Sequence, residues 1–229
     1  MNIKRPSIYL HLTELWRAFR EYRIGKKFVQ SWSPLQKGNE EPVLVIPGLT
    51  ASPWSTKLLR NFLSSENFTA YDWGLGRNLG NLKDLTELEK TLALIHKKHD
   101  RKVIIIGWSL GGIYARRLGQ SQSNLIEKVI TLGSPYRAIR SPNYAAWFFN
   151  LLQRFRGGVA EPKWVESLDE PLNVPSIAYY SKKDGIVPWE ACHDPDDSSD
   201  HVNIEVRTSH FGMGASKEVL QSLVQELYR

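Results

Sequence analysis

The stretch that decides the fold is Val103-Ile104-Ile105-Ile106-Gly107-Trp108-Ser109-Leu110-Gly111-Gly112. Its first four residues are β-branched, as expected of a strand buried on both faces in a parallel sheet. Ile113 to Leu118 then carry an amphipathic helical pattern. Between them stands a Gly-x-Ser-x-Gly spacing, Gly107, Ser109 and Gly111. With glycine at ~7% of residues, that bare spacing arises by chance in roughly one chain in twenty of this length. The setting makes it informative. A strand that turns at once into a helix leaves the residue at its tip in a strained backbone conformation. Side chains two residues to either side would collide there, and glycine removes both Cβ atoms. A hydroxyl so placed projects at the carboxyl ends of the strands, where open parallel sheets bind ligands. The helix N-terminus behind it favours developing negative charge. The bland alternative is a glycine turn that only packs helix on strand.

Outward from this stretch, short apolar runs alternate with longer amphipathic ones. The expected strands are 43–46, 68–73, 103–108, 128–132, 176–180 and 202–206. The expected helices are 53–64, 82–99, 111–120 and 216–228. Such alternation predicts an α/β fold, a mostly parallel sheet of about six strands flanked by helices. With 229 residues the chain fits one such unit. Residues 136–174 separate two strands by more than a crossover needs, and the run Ala145–Leu152 is apolar apart from Asn150. They are read as a small helical cap insertion within a catalytic domain spanning 41–229. An ordinary large crossover helix is the alternative.

A serine hydroxyl is a weak nucleophile near neutral pH and needs a general base, itself oriented by a carboxylate. In a strand–turn–helix serine site the partners follow in the order serine, acid, histidine. His210 lies just past the last expected strand, where the base should sit. His201 precedes that strand, at the wrong end of the sheet, and His193 lies in a polar loop. The acid should follow the penultimate strand, and Asp184 stands there beside Gly185. An Asp-Gly turn is its structural alternative. Asp194, Asp196, Asp197 and Asp200 run toward the next strand, and Asp72 is out of order.

A developing oxyanion needs two backbone donors. The first expected donor is the N–H of Leu110. The second comes from the loop Val45-Ile-Pro-Gly-Leu-Thr50, with Leu49 first choice and Thr50 next. Trp108, Thr50 and Asn78 are expected to line the substrate pocket, Asn78 and Arg77 because their glycine-rich loop follows a strand at the same end. That loop, Trp73–Gly80, lacks the strand–loop–helix spacing of a phosphate fingerprint, so no nucleotide cofactor is expected. The stretch Cys192–His201 is rich in metal-ligating residue types but lacks ligand spacing and reads as a solvated loop. No metal and no other cofactor is expected.

Residues 1–40 form a basic, helical N-terminal arm. Within residues 1–38, Lys4, Arg5, Arg17, Arg20, Arg23, Lys26, Lys27 and Lys37 outweigh Glu14 and Glu21, which accounts for the whole net charge of +6. The rest of the chain is neutral, and no basic surface flanks the serine, so nucleic acid is not an expected partner. Leu10, Leu12, Leu15, Trp16 and Phe19 lie among these cations. The arm docks on its own domain, on a second subunit, or on an anionic membrane surface. One cysteine, Cys192, precludes an internal disulfide and fits a reducing compartment. No apolar run has the length of a membrane span or signal peptide. The expected location is cytoplasmic, with peripheral membrane contact allowed.

Pro47-Gly48-Leu49, Gly107-Trp-Ser109-Leu-Gly111, Leu132-Gly-Ser-Pro135, Ser181–Pro188 with Asp184, and Ser209-His210 together resemble the α/β-hydrolase superfamily, in particular small bacterial serine esterases and lipases. Trp73-Gly-Leu-Gly-Arg-Asn78 resembles a subgroup of bacterial members. The resemblance covers about 41–229 and implies an α/β-hydrolase fold and a Ser109–His210–Asp184 triad. It further implies hydrolysis of carboxylic esters with a hydrophobic ester or lipid as substrate. Thioester hydrolysis or acyl transfer by the same triad, and a non-catalytic binding protein on the same fold, are the alternatives. Two positions depart from the lipase pattern. Pro47-Gly48 stands where many have His-Gly, and Trp108 where many have histidine, which favours esterase over lipase.

Overall fold

Strand-forming and helix-forming runs alternate in space as they do along the chain. A computed structural model describes residues 4–35, 37–81, 83–137, 167–194, 196 and 198–228. The expected cap falls largely on 138–166, outside the described residues. The strands are β1 (Pro42–Ile46), β2 (Thr69–Asp72), β3 (Val103–Trp108), β4 (Ile126–Leu132), β5 (Ser176–Tyr180) and β6 (His201–Glu205). The helices are α1 (Ile8–Ser31), α2 (Lys57–Ser65), α3 (Asp84–His99), α4 (Leu110–Ser121) and α5 (Lys217–Leu227).

The six strands form one sheet in the order β2-β1-β3-β4-β5-β6, and every neighbouring pair is parallel. Parallel pairing exposes all strand carboxyl ends on one side, and the chain must cross back over the sheet between strands. The crossovers supply two apolar layers. Leu44, Ile46 and Ile105 face Leu88, Leu92, Ile113 and Leu118 of α3 and α4. Val43, Val45, Ile104 and Ile106 face Leu59, Phe62, Leu220 and Val224 of α2 and α5. Adjacent residues of one strand thus enter opposite layers, which is why β1 and β3 read as unbroken apolar runs. Each fully buried Ile or Leu contributes about 1.5–3 kcal/mol.

Local chemistry sets the ends. Ser7 and Ser216 cap α1 and α5, their side chains accepting from Leu10 and Val219 N–H. Helix α3 carries Asp84 and Glu87 in its first turn and Lys97 and Lys98 in its last, the charge order its dipole favours. The expected helix 53–64 splits into a 3-10 turn, Pro53–Thr56, and α2. Helix α1 packs against α5, and its Phe28 ring lies 5.8 Å from that of Phe62 on α2. No helix among the described residues is long and apolar enough to cross a membrane.

Candidate active site

Ser109 sits between β3 and α4 with φ 54° and ψ −120°, outside the region that L-residues favour. The strain is held by its surroundings. Its N–H donates to the Leu132 carbonyl at 2.9 Å, continuing the β3–β4 ladder past the turn. A Cβ on Gly107 would strike the backbone of Gly111 and Gly112, and one on Gly111 would strike the Ile46 and Pro47 carbonyls. The glycine spacing is therefore dictated by backbone packed on backbone.

His210 follows β6 and Asp184 follows β5, both beyond the carboxyl ends of their strands. Ser109 Oγ lies 2.9 Å from His210 Nε2, and His210 Nδ1 lies 2.7 Å from Asp184 Oδ2. The arrangement suits Oγ–H donating to Nε2 and Nδ1–H donating to the carboxylate. Asp184 is itself held, because its Oδ1 accepts from Ile186 N–H at 2.7 Å and Val187 N–H at 2.8 Å. All three side chains are buried. Burial pushes the His210 imidazole down. The charge and hydrogen bond of Asp184 outweigh it, Glu14 adds to them, and the net shift is upward.

The loop after β1 approaches Ser109 closely, since a Cβ on Gly48 would lie 3.2 Å from the serine Cβ. Thr50, the second choice for the oxyanion, is ruled out as a donor. Its N–H already donates to the Asn78 carbonyl at 2.6 Å. Among the described residues the N–H groups of Leu49 and Leu110 have no protein acceptor.

Asn78 requires a correction. It does not line a pocket but is fully enclosed. Its Nδ2 donates to the Pro47 carbonyl at 2.7 Å, its N–H to the Ala51 carbonyl at 2.8 Å, and its Oδ1 accepts from Gly80. Asn78 clamps the loop 47–51 from behind. Arg77 adds a bond to the Thr50 carbonyl at 2.7 Å. Trp108 is buried, and its indole N–H donates to the His210 carbonyl at 3.1 Å, so it tethers the loop of the histidine.

A second Ser, His, Asp set lies at the opposite end of the sheet. Ser176 and His201 are paired first residues of β5 and β6. Ser176 Oγ lies 2.9 Å from His201 Nδ1 and 3.3 Å from Asp194 Oδ2, and Asp194 forms a buried ion pair with Arg116 at 2.8 Å. Here the serine stands between histidine and acid, whereas activation of a serine requires the histidine between the other two. Ser176 lies in regular strand backbone, with neither a strained turn nor a helix N-terminus behind it. Cys192 is buried, and burial pushes its thiol up. Among the described residues no three His, Cys, Asp or Glu side chains are grouped to hold a metal.

Sequence reasoning missed the contribution of α1. Glu14 Oε1 accepts from Phe211 N–H at 3.0 Å and Oε2 from Gly185 N–H at 3.1 Å. Glu21 accepts from Ser209 N–H at 3.1 Å and Thr208 Oγ1 at 2.8 Å. The signal was present: the only two acids among residues 1–38 stand seven apart, on one face of a helix.

A family model described as the alpha/beta hydrolase family matches residues 43–210. The pimeloyl-[acyl-carrier protein] methyl ester esterase of Proteus mirabilis is 33% identical over 119 residues, covering 50% of this chain and 42% of that protein. The chain thus matches less than half the length of this relative. Among solved structures, a Paleococcus ferrophilus monoacylglycerol lipase superposes with a TM-score of 0.62 at 17% identity, covering 82% of this chain and 95% of the other. A structure from the metagenome-derived lipolytic enzymes LipS and LipT gives 0.64 at 16% identity, covering 83% and 93%. At such identities the likeness speaks to the fold alone. With the family model spanning most of its length, the chain belongs to the alpha/beta hydrolase family.

Proposed function

We propose that this chain is a serine hydrolase of carboxylic esters, with Ser109 as nucleophile, His210 as general base and Asp184 as its orienting acid. The observation that carries the reading is the Ser109–His210–Asp184 relay, with bonds of 2.9 and 2.7 Å at the carboxyl end of the sheet. Ser109 Oγ attacks the ester carbonyl as His210 takes its proton. Negative charge gathers on the carbonyl oxygen, between the Leu110 and Leu49 N–H groups. Collapse expels the alcohol, protonated by His210. A water, deprotonated by the same imidazole, then attacks the acyl-enzyme and frees the acid. The apolar side chains of the sequence 145–152 favour an ester of an apolar acid, and the methyl ester named for the Proteus mirabilis relative supports an ester rather than an amide.

A panel of p-nitrophenyl esters from acetate to palmitate tests this. The expected result is hydrolysis by the wild type, reduced on the order of 10⁴-fold or more in Ser109→Ala. A folded wild type that hydrolyses none of the series would overturn the reading. A preference for the longest chains would make the enzyme a lipase rather than an esterase.

A further inference from the structure

We propose that Glu14, carried on the N-terminal helix α1, is a positioning residue for the reaction, holding the loops of Asp184 and His210 in register. The inference rests on the triad reading above and extends it to an element outside the matched family region. Glu14 is buried, and its two carboxylate oxygens divide between two loops. One accepts from Gly185, the residue after Asp184, and the other from Phe211, the residue after His210. A single side chain thus ties acid loop to base loop one residue from each functional group.

The surrounding contacts repeat the pattern. On the acid loop, Arg17 donates to the Lys183 carbonyl at 2.7 Å, and His11 Nδ1 lies 3.0 Å from the Gly185 carbonyl. Glu21 holds the base loop at Ser209 and Thr208. Both loops have a glycine where the helix presses in. A Cβ on Gly185 would meet the Leu10 carbonyl and the Glu14 carboxylate, and one on Gly212 would meet the Glu21 carboxylate. A merely covering helix requires no such pair of gaps.

The charged groups facing Glu14 are Arg17 on its own helix, Asp184 on the acid loop and His210 on the base loop. Burial and Asp184 push the Glu14 carboxyl up, against the Phe211 N–H, His210 and Arg17. Its negative charge in turn favours protonated His210. Replacing it by a neutral isostere has two separable effects. The loops lose an acceptor, and His210 loses a stabilising charge.

The test uses the full chain and a p-nitrophenyl ester. Glu14→Gln, checked for cooperative thermal unfolding, is expected to lower kcat about tenfold or more with KM changed less than about twofold. The acid limb of its pH–rate profile is expected to move to lower pH, a shift that a purely structural role does not produce. Glu14→Asp keeps the charge but is too short to span both amides, so kcat should fall while the acid limb stays near that of the wild type. Wild-type kcat and an unmoved limb in Glu14→Gln, or wild-type kcat in Glu14→Asp, would overturn the proposal. A wild type inactive on every ester is the distinct failure of the triad reading itself.

The opposite face of α1 carries a second, independent inference: the structure assigns it to an anionic lipid surface. Ile8, Leu12, Leu15, Trp16 and Phe19 recur at helical spacing and are each 61–76% exposed. Arg20 stacks 5.2 Å over Trp16 and Arg23 5.8 Å over Phe19, placing cations along the apolar stripe. A second copy would bring two arms of like charge together, whereas an anionic bilayer complements both the apolar stripe and its cations. Vesicle flotation tests this. Binding is expected to phosphatidylglycerol vesicles, not to phosphatidylcholine vesicles, and each basic residue should add roughly fivefold to partitioning. Arg20→Glu with Arg23→Glu should therefore weaken binding about 25-fold or more. The assignment is overturned by absent phosphatidylglycerol binding or by undiminished binding of the double variant. It is equally overturned by a wild-type dimer in solution that Leu15→Glu with Phe19→Glu converts to monomer.

Discussion

Ser109 keeps its left-handed backbone because three features hold it there: the ladder bond to Leu132, the paired glycines and the start of α4. Its partners were legible because strand order and loop position exclude the other histidines and acids. Nothing in Leu49-Thr50 says which N–H is already taken, and only the structure shows that of Thr50 bound to the Asn78 carbonyl. The role of Asn78 was misread for the same reason: a polar residue in an active-end loop looks like pocket, and only its enclosure shows it to be a clamp. Asp184→Asn is expected to reduce kcat on the order of 10⁴-fold with little change in stability, because it upsets the histidine tautomer. Asn78→Ala removes the amide that donates to the Pro47 carbonyl. It should cost about 1–3 kcal/mol in denaturant unfolding. The loosened oxyanion loop should lower kcat about 10²-fold. The pH dependence also belongs to this scale. A neutral imidazole must accept the serine proton, and Asp184 and Glu14 raise the His210 pKa. Activity should therefore fall, as pH drops, at a higher pH than an ordinary histidine near 6.5 would dictate, which a kcat/KM profile measures.

At the scale of elements, the periodic patterns carried most of the information. β3 and β5 match their sequence boundaries, and the other strands shift by one or two residues at one or both ends, where hydrogen bonding rather than side-chain type decides. What the patterns lacked was the distinction between elements that pack by shape and elements that pack by buried charge. The Arg116–Asp194 pair, with Ser176 and His201, joins α4 to the start of β5 and β6. Asp194→Ala strands a buried guanidinium and should destabilise the fold by about 3–5 kcal/mol. Its kcat per folded molecule should stay unchanged, which separates this network from the one at Ser109. Gly111→Ala drives a methyl into the Ile46 and Pro47 carbonyls, and overpacking of this kind costs about 1–3 kcal/mol or more, readable as a lowered unfolding midpoint.

For the whole molecule, the sheet places every strand carboxyl end on one side, and the loops that follow β1, β3, β5 and β6 converge there. The amino acid sequence announced that convergence through strand order alone. It did not announce that the basic arm braces the loops of Asp184 and His210, because two acids on one helix face do not name the amides they accept from. The most direct measurement is the intact mass of the full chain after treatment with a fluorophosphonate, followed by peptide mapping. One adduct per chain, on the peptide containing Ser109, absent in Ser109→Ala and retained in Ser176→Ala, is the predicted result. A folded wild type that takes up no adduct, or an adduct mapped to Ser176, would contradict it.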